Sequence, residues 1–135
     1  IRREWKGLWQ KVGKESYESG KFYERQAVLW LKERGYEILE QNFRSPFGEI
    51  DIIARQKSQI VFVEVKYRSG NKWGTPQEAV TRQKKRRISN TALYYMTCYC
   101  KEKDRQCRFD VLCTDGKEMT LYKNAFDYCG IQSFF

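Results

Sequence analysis

Apolar positions follow a helical period in two parts of the chain and a strand period in the others. Residues 20–34 repeat apolar side chains at helical spacing and stop at Gly35, which predicts a first helix. Residues 36–42 predict a first strand. Residues 1–18 lack clear periodicity, so we interpret residues 1–19 as a basic N-terminal extension, with a short helix around Trp5 to Trp9 as an alternative, before a single domain over residues 20–135.

The strongest local signal predicts a β-hairpin. Residues 49–54 are mostly β-branched or apolar, residues 55–59 are polar, and residues 60–67 are again largely apolar. With the turn centred on Lys57 and Ser58, each residue of the first strand acquires a defined partner in the second.

A second helix and two further strands complete the predicted domain. Thr75 as N-cap, Pro76 at the first helical position and Glu78 predict a helix start, and apolar spacing carries this helix to about residue 99. Residues 108–114 and 118–122 predict strands around a turn at Asp115 and Gly116. The order helix, strands, helix, strands indicates an α/β domain with a mixed sheet.

Charge narrows the classes of partner. The 135 residues include 26 Lys and Arg against 17 Asp and Glu, a formal net charge of +9. This charge attracts polyanions, so nucleic acid is the first partner class and an acidic membrane surface the second. No stretch approaches the ~18 apolar residues of a membrane span, and residues 1–20 lack the ~7–15-residue apolar run of a signal peptide. We expect a cytoplasmic protein that does not enter the membrane.

Histidine is absent from the sequence. This absence excludes a Ser-His-Asp triad, a Cys-His pair, an imidazole general base and a His-ligated zinc site. Catalysis by this chain would have to use carboxylates, Lys, Cys, Tyr or a bound metal.

One face of the predicted hairpin carries two carboxylates and a lysine. Asp51 lies opposite Glu64, and Lys66 shares the face of Glu64. Directly opposed residues have Cβ atoms only ~4.5–5.5 Å apart, so two like charges there need a compensating cation. Mg²⁺ suits this arrangement because it takes one or two protein carboxylates together with waters and phosphate oxygens. A solvated Glu–Lys pair on a polar strand face is the alternative, although Asp is depleted from strands.

The two predicted helices add charged residues. Glu24 lies on the apolar face of the first helix, where the residues alone favour a boundary glutamate stabilised by the helix dipole over a site carboxylate. Five of the six residues over 82–87 are basic, which favours a phosphate-binding surface over a solvated helix face. Trp73 would stack on a base or cover the core. The predicted nucleic-acid-binding residues are Arg68, Lys72, Arg82, Lys84, Lys85, Arg86 and Arg87.

Five sequence blocks in this order resemble one bacterial family, the YraN-like proteins, from about Gly20 to Phe126. The blocks are Gly48-Glu49-Ile50-Asp51-Ile52-Ile53, Phe62-Val63-Glu64-Val65-Lys66-Tyr67-Arg68, Gly74-Thr75-Pro76-Gln77-Glu78-Ala79-Val80, Arg108-Phe109-Asp110-Val111 and Asn124-Ala125-Phe126. That family is similar to the PD-(D/E)xK nucleases, whose restriction-endonuclease-like fold is akin to that of archaeal Holliday-junction resolvases. The resemblance implies a three-layer domain with a central mixed β-sheet flanked by helices.

The resemblance also implies roles for individual residues. Asp51 corresponds to the metal-ligating Asp, and Ile50 stands where the nominal motif has Pro. Glu24 becomes the helix carboxylate of the resolvase-like branch, which reverses the interpretation from the residues alone. The implied catalytic residues are Glu24, Asp51, Glu64, Lys66 and Gln83, and the metal ligands are Asp51, Glu64 and the Val65 carbonyl.

We therefore expect a Mg²⁺- or Mn²⁺-dependent DNA endonuclease that hydrolyses phosphodiester bonds in branched or structured DNA during repair or recombination. The rival hypothesis is a non-catalytic nucleic-acid-binding module on the same fold, which would bind DNA or RNA with steep salt dependence and no role for metal. A third hypothesis has the N-terminal extension, Phe134 and Phe135 dock a protein partner. Resolvase-like nucleases often pair two sites in a homodimer, which cuts two strands.

Overall fold

The computed structural model describes residues 8–68, 78–100 and 106–130, with side chains from Gly20 onward in the first range. Several residues named in the sequence predictions lie outside these ranges: Trp5, Lys72, Trp73, Thr75, Pro76, Phe134 and Phe135. The described elements follow the predicted order. They are α1 (Leu8–Glu33), β1 (Glu37–Ser45), β2 (Gly48–Gln56), β3 (Gln59–Tyr67), α2 (Arg82–Cys98), β4 (Gln106–Thr114) and β5 (Met119–Phe126).

The five strands form one sheet in sequence order, from β1 at one edge to β5 at the other. β3 and β4 are parallel, whereas the other neighbouring pairs are antiparallel. Two parallel strands need a crossover connection, and α2 lies in that connection. The predicted mixed sheet is therefore confirmed.

Each helix covers one face of the sheet, because successive strand residues point to opposite faces. The core on the α1 side contains Ala27, Val28, Leu31, Ile52, Ala54, Val61, Val63 and Leu112. The core on the α2 side contains Ile53, Ile60, Phe62, Ile88, Ala92, Tyr95, Phe109 and Val111. This arrangement confirms the predicted three-layer α/β fold. Neither helix carries an apolar run of membrane-spanning length within the described residues.

The first helix is longer than predicted. It begins at Leu8 instead of residue 20, so it runs through the predicted boundary between the extension and the domain. The prediction relied on a repeating apolar face, which residues 8–19 lack, whereas helix formation requires only backbone hydrogen bonds and adequate propensity. The predicted stop is correct, because Gly35 adopts a φ of 90° and its N–H donates to the Lys32 carbonyl.

The second helix begins later than predicted. It starts at Arg82 with Thr81 as N-cap, and the Thr81 hydroxyl accepts a hydrogen bond from the Lys84 N–H at 3.1 Å. The predicted start at Thr75 is therefore wrong, since Glu78 and Ala79 lie in a turn. Both threonines are suitable caps, and packing of the buried Val80 into the α2-side core accompanies the later start.

A buried ion pair between Arg108 and Asp110 of β4 links this strand to its neighbours β3 and β5. Asp110 is fully buried, accepts from Arg108 Nε at 3.0 Å and accepts from the Asn124 N–H at 2.9 Å. Arg108 also donates to the Gln59 side chain at 2.7 Å and to the Tyr36 hydroxyl at 2.9 Å. Asn124 has a φ of 55°, so its hydrogen bond to Asp110 fixes an irregular point in the backbone of β5. This strand extends to Phe126 instead of the predicted residue 122.

Candidate functional site

The β2–β3 hairpin adopts the predicted register. Ile52 pairs with Val63, and the pairing continues to Gln56 with Gln59, around a turn at Lys57 and Ser58. Asp51 lies one residue beyond the last of these pairs. Its Oδ2 accepts a hydrogen bond from the Val65 N–H at 2.8 Å. The Asp51 carboxylate therefore accepts a hydrogen bond from a backbone N–H of β3 at the point where the regular pairing of the two strands ends. This hydrogen bond holds Asp51 beside β3.

Glu64 is the buried centre of the site. It is 5% exposed, although it carries a carboxylate. Its Oε2 lies 3.5 Å from Lys84 Nζ and 3.9 Å from Lys66 Nζ. Its Oε1 is also buried and has no hydrogen-bond partner among the described residues. A buried carboxylate oxygen without a partner is costly, so this atom is available to a further cation or proton donor.

Burial and the two neighbouring carboxylates decide the protonation of the site. Burial, together with the nearby charge of Asp51, raises the pKa of Glu64 to about 8, although Lys84 and Lys66 oppose the shift. Burial also raises the pKa of Asp51, while the Val65 N–H and Lys84 lower it. Without an additional cation, the pair therefore does not carry two full negative charges at neutral pH.

The raised pKa of Glu64 makes the stability of the folded chain depend on pH. The folded state favours protonated Glu64, so its contribution is complete below the ordinary carboxyl pKa of 4.5 and is lost as pH rises through about 8. Urea unfolding without divalent metal should therefore show the free energy of unfolding falling by on the order of a few kcal/mol across this window. Glu64→Gln should remove most of the fall; equal pH profiles for the two proteins would contradict the assigned burial of Glu64.

Glu24 joins the site from α1. Burial, together with the charge of Asp51, raises the pKa of Glu24. Lys21 Nζ lies 3.8 Å from Glu24 Oε1. The Asn42 amide is oriented so that its nitrogen and oxygen both have hydrogen-bond partners. The amide nitrogen donates to Glu24 Oε1 at 3.1 Å, and the amide oxygen accepts from Lys21 Nζ at 3.1 Å. Asn42, a residue of β1 that the sequence analysis missed, has a φ of 53°, and no sequence pattern indicated it.

The basic stretch at the start of α2 divides between the site and the surface. Lys84 is half-buried and contacts Glu64, whereas its neighbour Gln83 is exposed and no hydrogen bond among the described residues joins it to the carboxylates. Lys85 Nζ lies 5.6 Å from the centre of the Phe126 ring. Arg82, Arg86 and Arg87 are exposed, as is Arg68 at the end of β3. The structure therefore brings Lys84, and not Gln83, to the carboxylates.

Close packing of α2 on the β1–β2 turn fixes where Lys84 lies. Ser45 Oγ is 3.0 Å from Thr91 Oγ1. A Cβ on Gly48, whose φ is 154°, would lie only 3.1 Å from the Cβ of Arg87. This close contact, together with a φ that residues with side chains rarely adopt, favours glycine and places the second turn of α2 against the start of β2.

The donor set fits a hard divalent cation held by few protein ligands. Among the described residues, no group of three or more His, Cys, Asp and Glu side chains forms a closed metal cage. Asp51 and Glu64 nevertheless offer two adjacent carboxylates, and Glu64 Oε1 lacks a partner. Two carboxylates completed by waters and phosphate oxygens are the usual set for Mg²⁺. The residues present therefore fit such an ion.

Known proteins are similar to this chain over the region that contains the carboxylate site. A family model described as "Uncharacterised protein family UPF0102" matches residues 23–114. A UPF0102 protein of Lachnoclostridium phytofermentans is 50% identical over 107 residues, covering 79% of this chain and 91% of the relative. The chain belongs to the UPF0102 family. This is the YraN-like group that the sequence blocks resembled, so that prediction is confirmed.

Other UPF0102 relatives match over a similar extent. The protein of Syntrophus aciditrophicus is 46% identical over 118 residues, covering 84% of this chain and 91% of the relative. That of Thermodesulfovibrio yellowstonii is 43% identical over 109 residues, covering 81% and 96%. The UPF0102 match includes Glu24, Asp51, Glu64, Lys66 and Lys84, whereas Lys21 precedes its start and β5 lies beyond its end. The names of these UPF0102 relatives state no activity.

Proposed function

We propose that this UPF0102 chain is a metal-dependent DNA endonuclease that hydrolyses phosphodiester bonds. The observation that carries the proposal is the environment of Glu64, a buried carboxylate beside Asp51 and two lysines, with one oxygen unpartnered. A protein that only bound phosphates would have no use for buried carboxylates next to its cationic surface. The resemblance of the hairpin to PD-(D/E)xK nucleases supports the same function.

Asp51 and Glu64 would hold Mg²⁺ or Mn²⁺, with the Val65 carbonyl as a further ligand. When bound, the metal would lower the pKa of a coordinated water and neutralise charge that develops on the phosphate. Asp51 is oriented for this role by the Val65 N–H, which fixes Oδ2. Glu24 would hold a water or an outer ligand, because Lys21 and Asn42 orient its carboxylate.

The two lysines of the site would act on the water and the phosphate. Lys66 is 31% exposed and Lys84 is 41% exposed, so both ammonium groups reach the surface while they remain close to Glu64. Lys66 would orient the attacking water, and Lys84 would stabilise the negative charge of the phosphate. The exposed arginines at 82, 86 and 87 would hold the nucleic-acid backbone on the same side of the sheet.

Two measurements on the wild-type chain test this function. Calorimetry should detect Mg²⁺ binding, and a panel of duplex, nicked, flap and four-way-junction DNA should be cut only when Mg²⁺ or Mn²⁺ is present. Cleavage of any member establishes the activity, and the rates rank the structures. A chain that neither binds metal nor cuts DNA, even with DNA present during the titration, would refute the proposal.

Lys84→Ala tests the role that the tertiary structure adds to the predicted site. We expect cleavage to fall by roughly 10- to 100-fold, because the variant loses a cation next to Glu64 and the phosphate. Lys123→Ala is the matched control, since it removes the same charge from an exposed residue of β5. Single-turnover rates at saturating protein separate this effect from weaker binding; equal rates for the two variants would exclude Lys84 from catalysis.

A second candidate function is non-catalytic binding of DNA or RNA. It is favoured by the net charge of +9 and by the exposed arginines of α2. It predicts binding that weakens steeply with salt and is unaffected by Mg²⁺ or by Asp51→Asn. Binding titrations at two salt concentrations, with and without Mg²⁺, distinguish it from the endonuclease.

A further inference from the structure

An exposed aromatic surface is built from α1 and the end of β3, the elements that also carry Glu24 and Lys66. Five large hydrophobic side chains of the described residues are strongly exposed, and Phe22 (47%), Leu29 (55%) and Tyr67 (46%) are three of them. Phe22 and Leu29 belong to α1 and face the β4–β5 hairpin, while Tyr67 ends β3. Exposed apolar side chains that gather in one place usually mark a binding surface.

Tyr23 connects Phe22 to Tyr67. Its ring stacks on Tyr67 with the centroids 4.5 Å apart and the planes at 12°. The Phe22 ring meets Tyr23 edge to face, with the centroids 5.4 Å apart. Gly116, in the β4–β5 turn, lies against both tyrosines, because a Cβ there would be 3.6 Å from the Tyr23 hydroxyl and 3.7 Å from the Tyr67 ring. We call Phe22, Tyr23 and Tyr67 the aromatic platform.

A cavity of about 530 Å³ lies next to the platform. It is lined by Phe22, Tyr23, Leu29 and Trp30 of α1 and by Gly116 and Met119 of the β4–β5 hairpin. This volume is within the range of roughly 300–1,000 Å³ that is typical of small-molecule sites. The stacked tyrosines leave no space for a ring between them, so a flat ligand would stack on the exposed side of Tyr67 or enter the cavity.

The position of the platform indicates its ligand. Tyr23 directly precedes Glu24, and Tyr67 directly follows Lys66, so α1 and the end of β3 carry residues of both the platform and the carboxylate site. Tyr67 points to the α1 side of the sheet, whereas Lys66 and the exposed Arg68, its neighbours in the chain, point to the other side. We propose that the aromatic platform binds an unpaired base of a nucleic acid whose backbone passes around the end of β3 to the carboxylate site. This inference rests on the proposed function and specifies its substrate class.

The pairing state of the base follows from the chemistry of stacking. In a duplex each base is covered by its neighbours, so its faces are unavailable to a protein ring. In a single strand the faces are free, and stacking on aromatic side chains tolerates any sequence. The substrate is therefore a nucleic acid with a single-stranded segment beside the phosphate that is cut.

Binding measurements without divalent metal test the platform separately from cleavage. The probes are a fluorescein-labelled oligo-dT strand and a blunt duplex of equal length, with anisotropy as the signal and EDTA present. Phe22→Ala and Tyr67→Ala should each weaken binding of the strand by about 10-fold, and should change duplex binding by no more than about twofold. Tyr67→Phe, which keeps the ring, should bind the strand like the wild type.

Tyr128→Ala is the matched control, because Tyr128 is 41% exposed and lines a different cavity with Phe62 and Met96. It should leave both affinities unchanged. Unaltered strand binding by the platform variants, or equal losses for strand and duplex, would overturn the proposal. A wild-type dimer that dissociates in both platform variants during sedimentation, with strand binding unchanged, would assign the surface to a second copy of the chain and would also overturn it.

The two proposals fail in different ways. If the wild type does not cut DNA but the platform variants lose strand affinity selectively, the platform stands and the hydrolysis proposal fails. If the wild type cuts DNA and the variants bind the strand normally, the platform alone fails.

Discussion

Asp51→Asn is expected to reduce metal-dependent cleavage by at least roughly 1,000-fold, the scale on which a catalytic site loses a charge-stabilising group. The physical reason is that Asp51 and Glu64 would share the metal, and an amide is a far weaker ligand than a carboxylate for a hard cation. The same variant should bind Mg²⁺ too weakly for calorimetric detection. Both measurements use the DNA structure that the wild type cuts fastest.

The fold should survive this substitution. Asn can still accept the Val65 N–H through its side-chain oxygen, so the link from Asp51 to β3 is kept. Loss of one negative charge also relieves the repulsion that contributes to the raised pKa of Glu64. Asp127→Asn, at an exposed residue after β5, is the matched control and should cleave like the wild type. Wild-type cleavage by Asp51→Asn would remove Asp51 from the mechanism.

Asp110→Ala is expected to have the largest effect on stability, a loss of about 3–5 kcal/mol in the free energy of unfolding. Asp110 is 0% exposed, and its partner Arg108 is 9% exposed. The variant would leave the Arg108 guanidinium buried without its counter-charge and would free the Asn124 N–H at the irregular point of β5. Urea unfolding at constant pH measures the change.

An exposed ion pair supplies the control for this stability measurement. Glu37 lies 2.6 Å from Arg55, but its side chain is 63% exposed. Glu37→Ala should therefore change the free energy of unfolding by only about 0–1 kcal/mol. A loss below about 1 kcal/mol for Asp110→Ala would mean that water reaches Arg108, contrary to its burial in the structure.

Two apolar runs around a short polar turn were sufficient to predict the central hairpin. Both faces of β2 and β3 are buried, so the apolar pattern alone does not select the pairing; the turn at Lys57 and Ser58 does, because it fixes which residues lie opposite each other. This pairing, observed from Ile52–Val63 to Gln56–Gln59, places Asp51 beside β3 near Glu64. The order of the elements and the mixed sheet also followed from periodicity. Glu24 is different, because only the family resemblance indicated its place in the site.

The ends of the helices could not be predicted as well. α1 starts at Leu8 although no apolar face marks its first residues, and α2 starts at Thr81–Arg82 although Thr75 offers an equivalent cap signal. Local signals of this kind occur at several positions, and packing decides among them by a few kcal/mol at most.

The sequence alone therefore determined the presence of the five described strands, the register of the β2–β3 hairpin and the proximity of Asp51 to Glu64, because each depends on residues close together in the chain. The tertiary structure alone decided that Lys84, and not Gln83, reaches Glu64, that Asn42 holds Glu24, and that Tyr23 stacks on Tyr67. These contacts join a helix to a strand across long separations in the sequence. They depend on the angle and distance at which a helix packs on the sheet, and the periodicity of a helix fixes which face is buried but not that angle.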